Sequence, residues 1–419
     1  MQAVLSRKAL AGAGIAAMAA IVAAGAITDG PFGPVLGGIR AEFLLFGLTL
    51  AGVALFHHRT LDAALAGLVA IVCLRYLTDP GFSMAHHLWA EAPILANLLG
   101  LLLGFAVLAR HFEQSQVPEI LPRFLPDDWE GGFALLGMVF VLSSFLDNIA
   151  AALIGGTVAL HVFHGRLHVG FLAAIVAAAN AGGSGSVLGD TTTTMMWIEG
   201  VPASGVLHAY VAAVPAFLFF AVAAARQQQA WHPIQKDELG KHPVRWRNLL
   251  AVAAVLAGAI GANLLLDFPA AGVWLALLVS AAFARTDWAV VPASVKGALF
   301  LLTLVTCASL MPVETLPAAS WQTAFGLGWV SAVFDNIPLT KLALEQGGYD
   351  WGMLAYAVGF GGSMVWFGSS AGVALSNLFP EARSVAAWVR LGWHVAVGYA
   401  IGFAILLLLR GWHPAAPLP

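Results

Sequence analysis

Two aspartate–asparagine pairs lie in otherwise apolar sequence and are the residues best able to do chemistry. They fall within residues 143–149 and 331–337, which share the pattern Ser-x-x-x-Asp-Asn-Ile. Their polar members are Ser143, Asp147, Asn148, Ser331, Asp335 and Asn336. A carboxylate in an apolar stretch of this kind is costly in a bilayer and is functional by default. Oxygen-only ligands suit a small hard cation, so the pairs predict a cation site.

A second pair of motifs is rich in glycine and repeats at the same spacing. Gly182-Gly-Ser, four residues and Gly189-Asp-Thr match Gly361-Gly-Ser, four residues and Gly368-Ser-Ser. Glycine allows the backbone to unwind and turn its carbonyl groups inward, although such glycines also serve as helix contacts in membranes. Helix contacts do not explain the Asp-Asn pairs. Several residues in these motifs have a side-chain oxygen and are further candidate ligands: Ser184, Ser186, Asp190, Thr191, Ser363, Ser369 and Ser370.

A carboxylate at such a site can hold either a sodium ion or a proton. Burial raises the pKa of a carboxyl group and a nearby cation lowers it, so the two ions compete. We therefore predict sodium bound by Asp147, Asp190 and Asp335, with sodium and protons as transported ions and no cofactor. Helices that are interrupted at the glycine-rich motifs would also present N-terminal ends with a partial positive charge, and these could hold an anion instead.

Composition places the whole chain in a membrane. Of 419 residues, 60% are hydrophobic and 10% are charged, and the mean hydropathy is +0.85; soluble domains carry about 25% charged residues. The net charge of −3 comes with no extended basic patch, which argues against a nucleic-acid partner. Cys73 and Cys307 lie in apolar runs and predict neither a disulfide nor a metal site. We find no nucleophile–base pair and predict that the chain is not an enzyme.

The hydrophobic pattern predicts an all-α polytopic membrane protein with about 11 transmembrane helices and two re-entrant hairpins. The predicted hairpins are 131–161 and 323–346, and the predicted broken helices are 168–200 and 350–379. Unwound backbone at membrane depth is tolerated only where protein covers it or it lines a cavity. The predicted organisation is an N-terminal helix within 1–35, a repeat over 36–226, a cytoplasmic linker over 227–247 and a repeat over 248–419. Each repeat has an odd number of crossings, so the two are predicted to be inverted, with the broken helices at the midplane.

The distribution of basic residues predicts the orientation. With the N-terminus in the cytoplasm, all but four of the 19 lysines and arginines fall on the cytoplasmic side, as the positive-inside rule requires. The exceptions are Arg40, Arg75, Arg410 and Lys341. The first apolar segment follows Arg7 and Lys8 and resembles a signal peptide, but further spans follow at once and predict a retained helix.

At these motifs the chain resembles the NhaD-type sodium/proton antiporters of the ion-transporter superfamily. The similarity is carried by residues 180–198, which begin Asn180-Ala-Gly-Gly, and by residues 331–339 and 361–373. It implies sodium or lithium/proton antiport by elevator-type alternating access, a homodimer in the bacterial inner membrane, and a site role for Asn180. The wider superfamily includes dicarboxylate symporters and arsenite efflux carriers. A carrier of a small anion or neutral oxyacid is therefore the alternative.

Two features depart from that family's pattern. Residues 150–152 are alanines where the family has threonines, and Lys341 lies six residues after Asp335. An ammonium at membrane depth must be paired or deprotonated. Lys341 either turns toward the outer surface beside Glu345, four residues on, or reaches the site and pairs with one of its aspartates.

The predicted orientation can be tested by labelling single cysteines from each side of the membrane. A cysteine near Lys241, in the basic 226–247 loop, should react only from the cytoplasm, because that loop carries five lysines and arginines. A cysteine in the 311–322 loop, which carries none, should react from outside. Labelling near Lys241 in intact cells would contradict the inverted-repeat arrangement.

Overall fold

The chain folds almost entirely into helices. The computed structural model describes residues 2–25, 35–36, 38–56, 59–235 and 243–415. The helices within these ranges are α1 Gln2–Gly25, α2 Ala41–Leu55, α3 Thr60–Thr78, α4 Met84–Gln114, α5 Val117–Ile120, α6 Trp129–Ser143, α7 Asn148–Val162, α8 Val169–Ser184, α9 Thr191–Ile198, α10 Ala203–Leu207, α11 Tyr210–Trp231, α12 Trp246–Leu266, α13 Pro269–Ser280, α14 Val290–Ser309, α15 Trp321–Ser331, α16 Asn336–Gln346, α17 Trp351–Gly361, α18 Ser370–Leu378, α19 Val385–Leu391 and α20 Trp393–Arg410. Short 3₁₀ helices cover Leu121–Phe124, Val313–Thr315 and Pro380–Arg383.

Many of these helices have the length and composition of membrane spans. Within the described residues, six helical stretches are long and apolar enough to cross a bilayer: Thr60–Thr78, Met84–Gln114, Ala203–Trp231, Trp246–Leu266, Val290–Ser309 and Trp393–Arg410. Several further helices are equally apolar but shorter, among them α2, α6, α7, α8 and α13. The predicted fold class, an all-helical polytopic membrane protein, is confirmed.

Pairs of helices occupy the segments predicted as hairpins and broken helices. The first hairpin consists of α6 and α7, and the second of α15 and α16. At 1.5 Å per residue, the 15 residues of α6 span about 22 Å, less than the roughly 30 Å of a hydrocarbon core. The first broken helix is α8 and α9, and the second is α17 and α18. The chain leaves the helical path over residues 185–190 and 362–369.

Two boundaries differ from the sequence-based prediction. A short antiparallel β-ladder pairs Val35–Leu36 (β1) with Ile39–Arg40 (β2), so the first helix of the predicted 36–226 repeat begins at Ala41. Gly38 at the turn has φ +86°, a left-handed conformation that glycine adopts without strain. Helix α11 continues to Trp231, five residues into the predicted 227–247 linker. Residues 236–242 of that linker lie outside the described residues.

The chain divides into two compact units. One comprises Met1–Ala96 and Val295–Leu316, and the other Asn97–Ser294 and Pro317–Pro419. In the first unit α1, α2 and α3 pack on one another, and Gly67 of α3 lies directly against the Thr49 side chain of α2. Both hairpins and both broken helices belong to the second unit, so it contains every candidate ligand.

The core of the second unit is formed by the N-terminal halves of the two broken helices. Every residue of α8 from Gly170 to Ser184 is buried, and so is every residue of α17. Helix α8 packs on α6, α11 and α17, while α17 packs on α15 and α20. The second half of each broken helix packs on the hairpin of the other repeat: α9 packs on α16, and α18 packs on α7. Each broken helix therefore contacts both hairpins.

Glycines make the same close contacts in both halves. A Cβ at Gly183 would lie 2.6 Å from the carbonyl oxygen of Gly189, and one at Gly362 would lie 2.7 Å from that of Gly368. Gly189 in turn abuts the Ser143 carbonyl at the end of α6, and Gly368 abuts Ala332 just after α15. The unwound segments thus pass against the turns of the hairpins, with no room for a side chain.

Gly368→Ala should therefore destabilise the fold. Its Cβ would meet the carbonyl oxygen of Ala332 at 2.5 Å, a contact with backbone that cannot rotate away. We expect a loss of about 1–3 kcal/mol in the free energy of unfolding, measured by thermal denaturation in detergent. The matched control is Gly326→Ala on α15, where a Cβ meets nothing within 4 Å and alanine favours the helix by up to about 1 kcal/mol. Equal melting temperatures for the two variants would contradict this packing.

Candidate functional site

The four half-helices that begin at the turns and unwound segments are all capped by side chains. Asp147 caps α7, Asp190 caps α9, Asp335 caps α16 and Ser369 caps α18. The capping oxygens are Asp147 Oδ2, Asp190 Oδ1, Asp335 Oδ1 and Ser369 Oγ, which accept backbone N–H groups at 3.2, 3.2, 3.0 and 3.3 Å. A helix that begins inside a membrane has no water for its first N–H groups, so such caps are required.

Asp147 and Asp335 also interact with hydroxyl groups besides capping their helices. Asp147 Oδ1 lies 3.5 Å from the hydroxyl of Thr191, and Asp335 interacts with the side chain of Ser370. Thr191 and Ser370 follow the caps of α9 and α18 and occupy equivalent places in the repeated motif. The site therefore contains two similar carboxylate–hydroxyl pairs, one from each half.

Asp190 has no acidic counterpart in the other half, where Ser369 takes its place. It is 2% exposed, and its Oδ2 atom has no hydrogen-bond partner among the described residues. Asp190 is close enough to interact electrostatically with both Asp147 and Asp335. Within the described residues, no three His, Cys, Asp or Glu side chains cluster closely enough to hold a metal ion by themselves. A cation bound at any of these carboxylates would need hydroxyl, amide or backbone oxygens as well.

A chain of buried amides joins the first hairpin to both broken helices. Asn148 Nδ2 donates to Asn180 Oδ1 at 3.0 Å, and Asn180 Nδ2 donates to Ser363 Oγ at 2.9 Å. All three residues are at most 4% exposed. Because each amide is satisfied by the next, the chain fixes α7, α8 and the unwound segment after α17 relative to one another.

The second half lacks this chain because Gly359 stands where the repeat would place the equivalent of Asn180. The side-chain amide nitrogen of Asn336, the counterpart of Asn148, is buried without a partner among the described residues. A Cβ at Gly359 would lie 3.2 Å from Asp190 Oδ2 and 3.2 Å from the Cβ of Ser184. The absence of a side chain at Gly359 thus leaves room for the Asp190 carboxylate.

The remaining predicted serines hold the backbone together. Ser143 and Ser331 donate to the carbonyl oxygens of Gly189 and Val358, at 3.4 and 2.9 Å. Ser184 donates to Ala181 within its own helix, and Ser186 donates to the carbonyl of Ser144 in the hairpin turn at 2.6 Å. Ser143 and Ser186 thus hold the first unwound segment against the first hairpin, while Ser331 connects the second hairpin to α17.

Lys341, on α16, is 1% exposed and binds two glutamates. Its Nζ lies 2.5 Å from Glu199 Oε1 and 2.7 Å from Glu345 Oε1. Glu345 is the helical neighbour that the sequence predicts. Glu199 follows the last residue of α9, and sequence reasoning missed it. The signal that could have identified Glu199 is an isolated acid at the end of an apolar run. The repeat alignment could have identified Gly359, which stands where the other half has Asn180.

Comparison with known proteins places the chain among membrane transporters. The profile of the CitMHS family, described as citrate transporter, matches residues 9–361. Sodium/proton antiporter 1 of Arabidopsis thaliana is 26% identical over 90% of this chain and 73% of its own length. The Na(+)/H(+) antiporter NhaD of Vibrio parahaemolyticus is 26% identical over 65% of this chain and 78% of its own. NhaD of Alkalimonas amylolytica is 27% identical over 67% and 69%. The resemblance inferred from the motifs is confirmed.

Asn180→Ala should destabilise the second unit, since it leaves the Asn148 amide and the Ser363 hydroxyl buried without their shared partner. Each stranded group costs about 1–3 kcal/mol, so the melting temperature in detergent should fall clearly. Asn377→Ala is the control, because Asn377 is exposed and binds only at the surface, to Arg383 at 2.8 Å. If both variants melt like the unmodified protein, the amide chain does not hold these helices together.

Proposed function

The chain belongs to the CitMHS family, and from that membership and the geometry of its aspartates we propose that it exchanges sodium ions for protons. One observation carries the proposal. Three buried aspartates cap half-helices with one carboxylate oxygen each, and Asp190 interacts electrostatically with both Asp147 and Asp335. Relatives that are 26–27% identical carry the name sodium/proton antiporter.

The caps favour a cation as the transported ion. A helix N-terminus carries a partial positive charge that attracts anions. At α7, α9 and α16 that charge already faces a carboxylate of the protein itself. An incoming anion would meet three aspartates, whereas a cation would meet their remaining oxygens. Thr191 and Ser370, beside Asp147 and Asp335, offer the hydroxyl oxygens that a hard cation prefers.

Exchange follows from competition at the same oxygens. Asp190 interacts electrostatically with Asp147 and Asp335, and like charges so close resist being ionised together without a counter-ion. The site is therefore stable when it holds either a sodium ion or protons, and it is least stable when it holds neither. A transporter that reorients only in the loaded states couples the two ions in opposite directions.

Alternating access would come from the predicted pair of inverted repeats, 36–226 and 248–419. The cross-packing of α9 on α16 and of α18 on α7 supports this proposal, because each broken helix contacts both hairpins. We further propose that the movement is of the elevator type, that lithium is a second transported cation, and that the protein is a homodimer in the bacterial inner membrane. It includes a cytoplasmic N-terminus and a cytoplasmic 227–247 linker.

One observation favours the second candidate, a carrier of a small anion or neutral oxyacid such as a dicarboxylate or arsenite. Helix α18 is capped by the neutral Ser369, so no carboxylate occupies its cap position. The family description, citrate transporter, points the same way. Uptake into proteoliposomes separates the candidates, since only an antiporter dissipates an imposed pH gradient when sodium alone is added.

Asp147→Asn and Asp335→Asn should each abolish exchange. The amide keeps the size of the side chain and one oxygen for the cap, but it removes the group that alternates between ion and proton. Sodium-driven dissipation of a pH gradient in proteoliposomes should be lost at every pH, because the amide neither carries the charge that attracts sodium nor takes up and releases a proton. Asp190→Asn should give the same loss.

The control for these variants is Asp62→Asn, because Asp62 is exposed on α3, in the first unit. It should exchange sodium like the unmodified protein. Thermal denaturation of all four variants establishes that they are folded. Full exchange by both Asp147→Asn and Asp335→Asn would refute the carboxylate mechanism.

A further inference from the structure

The ion pair between Glu199 and Lys341 joins the C-terminal end of α9 to the middle of α16, and each of these helices begins directly after a site aspartate. Helix α9 begins after Asp190 and ends before Glu199, and α16 begins after Asp335 and carries Lys341. At 1.5 Å per residue, the pair lies about 13 Å along α9 from Asp190 and about 9 Å along α16 from Asp335. It is a connection between the two helices that does not involve the site itself.

The equivalent place in the other half is apolar. By the repeat alignment, Lys341 corresponds to Leu153 on α7, and Glu199 corresponds to Leu378 at the end of α18. There α7 and α18 meet through hydrocarbon, with Gly156 packed against Leu375 and Phe379. The charged connection is therefore a difference between two otherwise similar helix pairs.

The ion pair between Glu199 and Lys341 is largely buried. The Lys341 side chain is 1% exposed and that of Glu199 is 13% exposed, while Glu345 is 33% exposed. A buried ion pair adds little net stability compared with well-packed hydrocarbon, and its best-attested use is to fix one register between elements. Apolar contacts tolerate sliding, whereas this pair is lost if α9 shifts along α16.

We propose that Glu199 and Lys341 are positioning residues that fix α9 against α16 and thereby set the distance between Asp190 and Asp335. The functional consequence of this inference rests on the proposed antiport. The helix register that it describes does not depend on which ion is carried. Glu345 is on the same helix as Lys341, so its bond to the ammonium does not contribute to the connection between helices.

The first test compares Glu199→Gln with the matched control Glu345→Gln by hydrogen–deuterium exchange of the purified protein. Loss of the connection should speed exchange about tenfold in peptides covering residues 191–199 and 336–346, because these segments then open separately. Glu345→Gln should exchange like the unmodified protein. Equal protection in all three proteins overturns the proposal, whatever ion is transported.

The second test measures sodium-dependent exchange in proteoliposomes and separates KM from the maximal rate. Glu199→Gln should raise the sodium KM about tenfold, since sub-ångström displacement of ligands is costly, while Glu345→Gln should change it less than about twofold. A purely structural role would lower the maximal rate, through loss of folded protein, and leave KM unchanged. An unchanged KM in Glu199→Gln contradicts the proposal.

Two combined variants complete the test. The double variant Glu199→Leu with Lys341→Leu copies the apolar counterpart, so it should fold but keep the raised KM. In the Glu345→Gln background, the exchange of Glu199→Lys with Lys341→Glu restores an ion pair and should bring KM back to within about threefold of that background. A double-leucine variant with normal KM, or a swap without recovery, overturns the proposal. If the unmodified protein does not exchange sodium, the antiport proposal fails and hydrogen exchange alone decides the present one.

Discussion

Backbone that leaves the helical path inside a membrane must have its hydrogen bonds satisfied by the protein, and the site depends on that requirement. Each of α7, α9, α16 and α18 takes a cap for its first N–H groups from the side chain of the residue that precedes it. Three of the four caps are carboxylates, at Asp147, Asp190 and Asp335. The groups that complete the broken backbone are therefore also the groups proposed to bind the ions.

Close backbone contact brings those caps together. The unwound segments lie directly against the hairpin turns because glycines at 183, 189, 362 and 368 leave no side chain between them. The amide chain from Asn148 through Asn180 to Ser363 then links one hairpin to both broken helices. Packing and hydrogen bonds thus hold the aspartates at the ends of short rigid helices, which suits ligands that must keep their spacing through a transport cycle.

The repeat is close in backbone but unequal in chemistry. Asp190 faces Gly359, while their counterparts are Ser369 and Asn180, so the first half supplies an acid and the second half leaves the space for it. The Glu199–Lys341 pair is a second inequality, at the contact of α9 with α16. Such differences make the two halves of the repeated structure chemically distinct.

The sequence by itself determined the class of protein and the places where polar residues and glycines interrupt its apolar helices. These features follow from local rules. An apolar segment must be long enough to cross the bilayer, glycine occurs where the backbone unwinds, and acidic residues in apolar segments are rare and mark functional sites. Only the tertiary structure decided which partners meet. Sequence reasoning identified Glu345 beside Lys341 because helical spacing is local, but it missed Glu199, which is 142 residues away. Contacts across such distances depend on how α9 and α16 pack, and neither helix's own pattern contains that information.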